Sequence, residues 1–215
     1  MGVQPYSFLL WSVCIGFAGL CVATRRSSRW IATALTKMAA STAFVVIALI
    51  NGALETDYGL LVLAALVFSW FGDLFLLSDR HTLILGGIAA FFLAHVAFAA
   101  AFTRLIIDVR DLTLAFAVLF AAGVAILLWL WKHLSGVYRA AVPAYIIAIV
   151  VMSALAIAAN RSPTLPLAAG AILFAISDVN VAEDRFIKPR RAWSWGLPLY
   201  YIAQLLLAGS VIAVR

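Results

Sequence analysis

Residues 58–78, YGLLVLAALVFSWFGDLFLLS, decide how the rest of the chain is read. The stretch is long enough, as a helix, to cross the hydrocarbon of a bilayer, and its one charged residue is Asp73. A carboxyl at that depth costs ~2.5–3.5 kcal/mol on insertion scales, so it belongs inside a bundle or beside a cavity rather than against lipid. The run therefore predicts a transmembrane helix with an acid on its protein-facing side.

Comparable runs occur at 6–23, 31–50, 82–103, 111–131, 139–159, 164–182 and 195–214. Backbone groups in lipid must bond within their own segment, which selects helices. The predicted fold is all-α: a polytopic membrane bundle of eight transmembrane helices forming one domain, 1–215. The punctuation between runs is short (Thr24–Trp30, Asn51–Asp57, Ser78–His81, Arg104–Arg110, Lys132–Tyr138, Asn160–Pro163, Glu183–Ser194), so consecutive helices run antiparallel. The first run lacks a preceding Lys or Arg, and so the charged leader of a signal peptide; it reads as a retained helix.

Composition agrees. Hydrophobic residues make up 66% of the 215 and charged residues 11%, against ~25% charged in a soluble domain. That excludes an ordinary soluble enzyme and a disordered chain. The net charge is +6, but no platform of interleaved aromatic and basic residues for nucleic acid is visible. The basic residues sit in loops and orient the bundle. The first, third, fifth and seventh loops hold Arg25, Arg26, Arg29, Arg80, Lys132, Arg139, Arg185, Lys188, Arg190 and Arg191; the others hold Arg104, Arg110 and Arg161. The odd loops are predicted to be cytoplasmic, with both termini outside, in a bacterial inner membrane. Cys14 and Cys21 share one helix face and read as packing residues, not as a disulfide or a zinc site.

The intramembrane ionisable groups are Lys37, Asp73, His95 and Asp178. At ~1.5 Å per residue, Asp73, Asp178, Lys37, Tyr145 and Gln204 all lie within roughly 14 Å of the odd-loop side. Five helices thus supply polar groups at one end, which predicts a polar pocket opening toward the inner leaflet. His95 is deeper, roughly 20 Å in by the same rise, and is placed at the pocket floor. Thr33, Lys37 and Ser41 recur every fourth residue and form a polar stripe.

Structural roles compete at each position. Lys37 could snorkel to the headgroups or simply pair with Asp73. His95 could be a hydrogen-bonded core residue. Tyr200 and Tyr201 could belong to an interfacial aromatic belt. Gly72 and Ser177, before the two aspartates, could serve only close helix packing. Glu183, Asp184 and Arg185 read as a solvated loop cluster. Phe71-Gly72-Asp73 and Ile176-Ser177-Asp178, 105 residues apart, hint at a repeat of four helices plus four.

Metal chemistry has little support, because a hydrolytic zinc usually needs three protein ligands and only His95 of the histidines is intramembrane. A Ser-His-Asp triad stays open, although no Gly-x-Ser-x-Gly elbow is present. Two carboxylates with a nearby Lys are the better constellation. In one low-dielectric pocket, like charge and desolvation keep one protonated while the other ionises, the arrangement of a paired acid and base. No metal or cofactor is called for.

At these residues the chain resembles the YhhN-like membrane proteins, the lysoplasmalogenase family. The matching positions are Lys37; Gly72-Asp73-Leu74-Phe75-Leu76-Leu77; Phe91 and His95; Tyr145 and Met152; Phe174, Ser177 and Asp178; and Leu199, Tyr200, Tyr201 and Gln204. Val179-Asn180 departs from the more apolar residues usual there. The resemblance implies hydrolysis of the vinyl ether bond of a lysoplasmalogen, a lysophospholipid, to a fatty aldehyde and a glycerophospho-base. It implies Asp73 and Asp178 as the catalytic pair; the sequence does not distinguish acid from base, and Asp178 is taken as the acid as a first guess. Lys37, His95, Tyr145, Ser177, Tyr200, Tyr201 and Gln204 would contribute to binding substrate and positioning water. Two other classes remain: a proton-coupled carrier, since membrane acids often mark proton relays, and a lipid amide hydrolase of ceramidase type. The first wants helices broken at the midplane; the second wants a multi-histidine zinc site.

Overall fold

The structure, a computed structural model, describes residues 5–26, 30–159, 164–187 and 196–214. The described residues form eight long helices: α1 (Pro5–Arg26), α2 (Trp30–Ile50), α3 (Asp57–Phe75), α4 (His81–Phe102), α5 (Val109–Trp131), α6 (Tyr138–Ala158), α7 (Thr164–Ala182) and α8 (Gly196–Ala213). Seven of them, α2 to α8, are long and apolar enough to cross a membrane. The fold is an all-α polytopic bundle, as the hydropathy pattern predicts. Arg29, Arg161, Lys188, Arg190, Arg191 and the Asn160–Pro163 connection lie outside the described residues.

Sequence neighbours pair as hairpins, α1 with α2, α3 with α4, α5 with α6, and α7 with α8. The hairpins join through α2, α3, α4, α6, α7 and α8, while α5 packs chiefly on α6. Of the α5 side chains only Gly123 and Leu130 are buried, so this helix forms the outer wall. A side chain at Gly123 would run into Ile146 of α6, with its Cβ 2.8 Å from the Ile146 methyl, so glycine lets the two helices close up. On the side opposite the polar end, Asp108 N donates to Ala158 O at 2.9 Å, tying the start of α5 to the end of α6.

Helix ends differ from the hydropathy limits where capping decides them. At α3, Thr56 accepts from Gly59 N at 3.0 Å and starts the helix. Asp108 does the same for α5, accepting from the backbone N–H groups of Arg110 and Asp111. These side-chain oxygens take up donors that lack an intrahelical acceptor. The α3 helix ends at Phe75, three residues short of the apolar run, and the Leu76 carbonyl is taken by Arg185 Nη2 at 3.3 Å. The Glu183–Ile187 segment, read from sequence as a solvated loop, continues α7 as a π-helical turn.

Gly72 sets the α3–α4 spacing next to Asp73. A Cβ there would lie 2.5 Å from the Phe91 ring, so the packing role of this glycine is met. Cys14 and Cys21 are buried thiols on the α2 side of α1, not joined in a disulfide. Cys14 Sγ donates to Ala40 O at 3.4 Å and Cys21 Sγ to Thr33 O at 3.8 Å.

Candidate active site

Two carboxyl clusters form inside the bundle, and both reach one cavity of about 1030 Å³. The first is built on the α2 stripe. Lys37 and Ser41, one helical turn apart, point at Asp73 of α3. Lys37 Nζ lies 3.1 Å from Asp73 Oδ1 and donates to the Asp73 carbonyl at 3.0 Å. Ser41 Oγ and the Tyr200 hydroxyl donate to Asp73 Oδ2 at 2.6 and 2.8 Å. Every polar neighbour of Asp73 is a donor, and one is a cation, so the site suits an ionised carboxylate. The Lys37 side chain is 12% exposed and that of Asp73 3%. Lys37 is therefore committed to Asp73 and does not snorkel.

The second cluster joins α4, α6 and α7. His95 Nε2 and the Tyr145 hydroxyl lie 2.8 and 3.0 Å from Asp178 Oδ2. On the other edge of the ring, His95 Nδ1 lies 3.3 Å from the Met152 sulfur. A thioether can only accept, which places a hydrogen on Nδ1. Neutral imidazole then has a bare Nε2, so the short contact to Asp178 must itself contain a proton. The Tyr145 hydroxyl, 3.2 Å from the same Nε2, completes a three-membered hydrogen-bonded group with His95 and Asp178. This tautomer follows from the hydrogen-bond network.

Aromatic rings fix the two clusters relative to each other. Tyr200, which holds Asp73, packs on Phe174 at 5.5 Å between centroids, and Phe174 packs on His95 at 4.5 Å. Phe91 closes the group against Tyr200 at 5.8 Å. Phe91 and Tyr200 also line the cavity, presenting π faces or edges to whatever occupies it.

Of the sequence-predicted residues, Lys37, Asp73, Tyr145, Ser177, Asp178 and Tyr200 line the cavity. His95, Tyr201 and Gln204 stand behind that wall. His95 holds Asp178, and Tyr201 donates to Lys37 O at 3.1 Å. Gln204 Nε2 lies 3.4 Å from Ser69 Oγ. Tyr200 and Tyr201 are buried, so neither belongs to an aromatic belt. Among the described residues, no three His, Cys, Asp or Glu side chains gather as metal ligands do.

The family model of the YhhN family matches residues 12–211. The chain belongs to the YhhN family. Similar proteins include lysoplasmalogenase TMEM86A of Bos taurus, 30% identical over 163 residues, 72% of this chain and 66% of that one. The Homo sapiens protein of the same name is 31% identical over 165 residues, with the same coverage of 72% and 66%. The lysoplasmalogenase of Mycobacterium bovis is 34% identical over 135 residues, 58% of this chain and 49% of its own. This YhhN-family chain thus spans just under two thirds of the mammalian relatives and about half of the mycobacterial one. No solved structure matches it at a significant level. The helices and these relatives together identify a multi-pass integral membrane protein.

Two features of the cavity were missed in the sequence. Its far part is an apolar groove between α5, α6 and α7, with Ala122 of α5 and Ile176 of α7 both lining it and exposed at the bundle surface. The groove is therefore open sideways to lipid. Apolar residues facing lipid and apolar residues facing a groove look alike in sequence. At the polar end, Arg185 lines the mouth and pairs with Asp79 at 3.1 Å; the charged run Glu183-Asp184-Arg185 had pointed to solvent.

Proposed function

We propose that this chain is a membrane hydrolase that cleaves the vinyl ether bond of lysoplasmalogens. The observation that carries the reading is the pair of differently partnered carboxyls on one cavity that is polar at one end and apolar at the other. The names of the relatives supply the substrate class. An enol ether hydrolyses when its β-carbon takes a proton and the resulting oxocarbenium ion is captured by water. The hemiacetal so formed breaks its bond to the glycerol oxygen, giving a fatty aldehyde and a glycerophospho-base.

Each group has a task in this scheme. The Asp178–His95 unit delivers the proton to carbon, with Tyr145 fixing the carboxyl. Asp73, held as an anion by Lys37, Ser41 and Tyr200, stabilises the cation and accepts a proton from the attacking water. The faces of Phe91 and Tyr200 favour the same positive charge. Ser177 and Tyr200 contact the reacting end. Tyr201 and Gln204 keep α8 in register behind them. The alkenyl chain lies in the groove between α5 and α7, which lets a lysolipid slide in from the membrane without leaving it.

Purified full-length protein in detergent is expected to release aldehyde from lysoplasmenylcholine or lysoplasmenylethanolamine. Absence of aldehyde from both substrates, in protein that is folded by thermal unfolding, would sink the enzyme reading in favour of a carrier.

The orientation proposed with this function keeps both termini outside a bacterial inner membrane and places the polar mouth at the inner leaflet. A cysteine introduced in the 188–194 segment should resist an impermeant thiol reagent in intact cells and react after lysis. Ready labelling in intact cells overturns the orientation.

A further inference from the structure

We infer that Arg185 anchors the headgroup, its guanidinium binding the phosphate of a lysophospholipid whose reacting bond lies beside Asp178. This rests on the lysolipid reading above and adds a site to it. Arg185 sits on the π-helical turn that prolongs α7, and it lines the same cavity as both aspartates. Single π turns in otherwise α-helical segments are frequent at functional sites.

Two contacts hold the guanidinium in place. Its Nη1 donates to Asp79 Oδ1 at 3.1 Å and its Nη2 to the Leu76 carbonyl at 3.3 Å. Two of five N–H donors are thereby used, and the planar fork keeps donors for an oxyanion. A purely structural tether explains this less well. The Asp79 side chain is 75% exposed, and ion pairs that exposed contribute little to stability. Lys37, the other cation lining the cavity among the described residues, is already held by Asp73 through both its carboxylate and its carbonyl.

The spacing fits the ligand. Arg185 follows Asp178 by seven residues along α7 and its turn, roughly 10 Å at helical rise. In a lysoplasmalogen seven bonds separate phosphorus from the carbon that is protonated. An extended chain covers ~1.2 Å per bond, giving roughly 8 Å. Asp79 and Asp184 also line the mouth.

The test uses ligands without a vinyl ether, so that it reads binding and not turnover. Affinities of 1-O-hexadecyl-glycerophosphocholine and of 1-O-hexadecylglycerol are measured on the detergent-purified full chain. The wild type should prefer the phospholipid. Arg185→Gln should weaken phospholipid binding at least ~10-fold, the effect of losing charge-assisted hydrogen bonds, and leave hexadecylglycerol within about twofold. Arg185→Lys, which keeps the charge without the fork, should fall between the two and serves alone if the glutamine variant does not fold. Equal loss for both ligands, no loss for the phospholipid, or no preference in the wild type overturns the proposal. If the Arg185-dependent preference appears while lysoplasmenylcholine yields no aldehyde, the vinyl ether reading falls and the headgroup site stands. Aldehyde release without that preference removes the headgroup site alone.

Discussion

Asp178→Asn is expected to lower aldehyde release at least ~10²-fold, the lower end for losing a general acid, while the bundle stays folded. The substitution keeps the volume of the side chain and still offers a hydrogen-bonding group to Tyr145 or His95. What it removes is the exchangeable proton in the 2.8 Å contact between Asp178 Oδ2 and His95 Nε2. His95→Asn should be damaging for the same reason, although it also strips the ring that packs 4.5 Å from Phe174. If the two residues act as one acid, the double variant should be little worse than either single one, because groups that work as a unit are not additive. Turnover measured beside thermal unfolding separates the outcomes. A folded Asp178→Asn protein at near-wild-type rate sinks the Asp178 assignment. If His95→Asn is then still inactive, the imidazole alone becomes the acid.

The helices were legible because the bilayer imposes a length on each apolar run, and eight runs yield eight helices. Their faces were not. In a soluble helix a polar stripe marks the outside, but here lipid and core both take apolar side chains. Only where a polar residue interrupts the pattern does the sequence say which side is inward, as with Thr33, Lys37 and Ser41 on α2. That stripe marked the inward face of α2, while pairing with Asp73 was only one of the roles open to Lys37, beside snorkelling to the headgroups. The His95–Asp178 contact joins residues 83 apart on α4 and α7. Helix order alone does not say which helices touch across a bundle, so His95 was placed at the floor of the pocket without its partner. The π turn after Ala182 escaped for a related reason. A run of three charges ordinarily ends a membrane helix, whereas here the helix runs on through Glu183–Ile187, and Arg185 on that turn meets Asp79 and the Leu76 carbonyl.

Asp73→Asn should combine two losses that a second substitution can separate. The Lys37 ammonium lies 3.1 Å from Asp73 Oδ1 in a site where the two side chains are 12% and 3% exposed. Removing one partner of such a pair leaves an uncompensated buried charge, a cost of about 3–5 kcal/mol. The variant should therefore unfold at a lower temperature and release aldehyde at least ~10²-fold more slowly, as expected when a catalytic carboxylate is lost. Lys37→Met with Asp73→Asn replaces the ion pair by neutral groups of similar volume, an exchange often close to neutral for stability. The thermal midpoint should then return most of the way to wild type, because Ser41 and Tyr200 can still donate to the Asn oxygen. Activity should not return, since Asn can neither take a proton from water nor face an oxocarbenium ion with a full negative charge. Lys37→Met alone should be milder in stability, as Asp73 keeps two hydroxyl donors at 2.6 and 2.8 Å. A salt bridge that served only the fold makes the opposite forecast: the double variant would recover turnover in step with its folded fraction. That recovery would remove Asp73 from the chemistry and leave the Asp178–His95 unit to act alone.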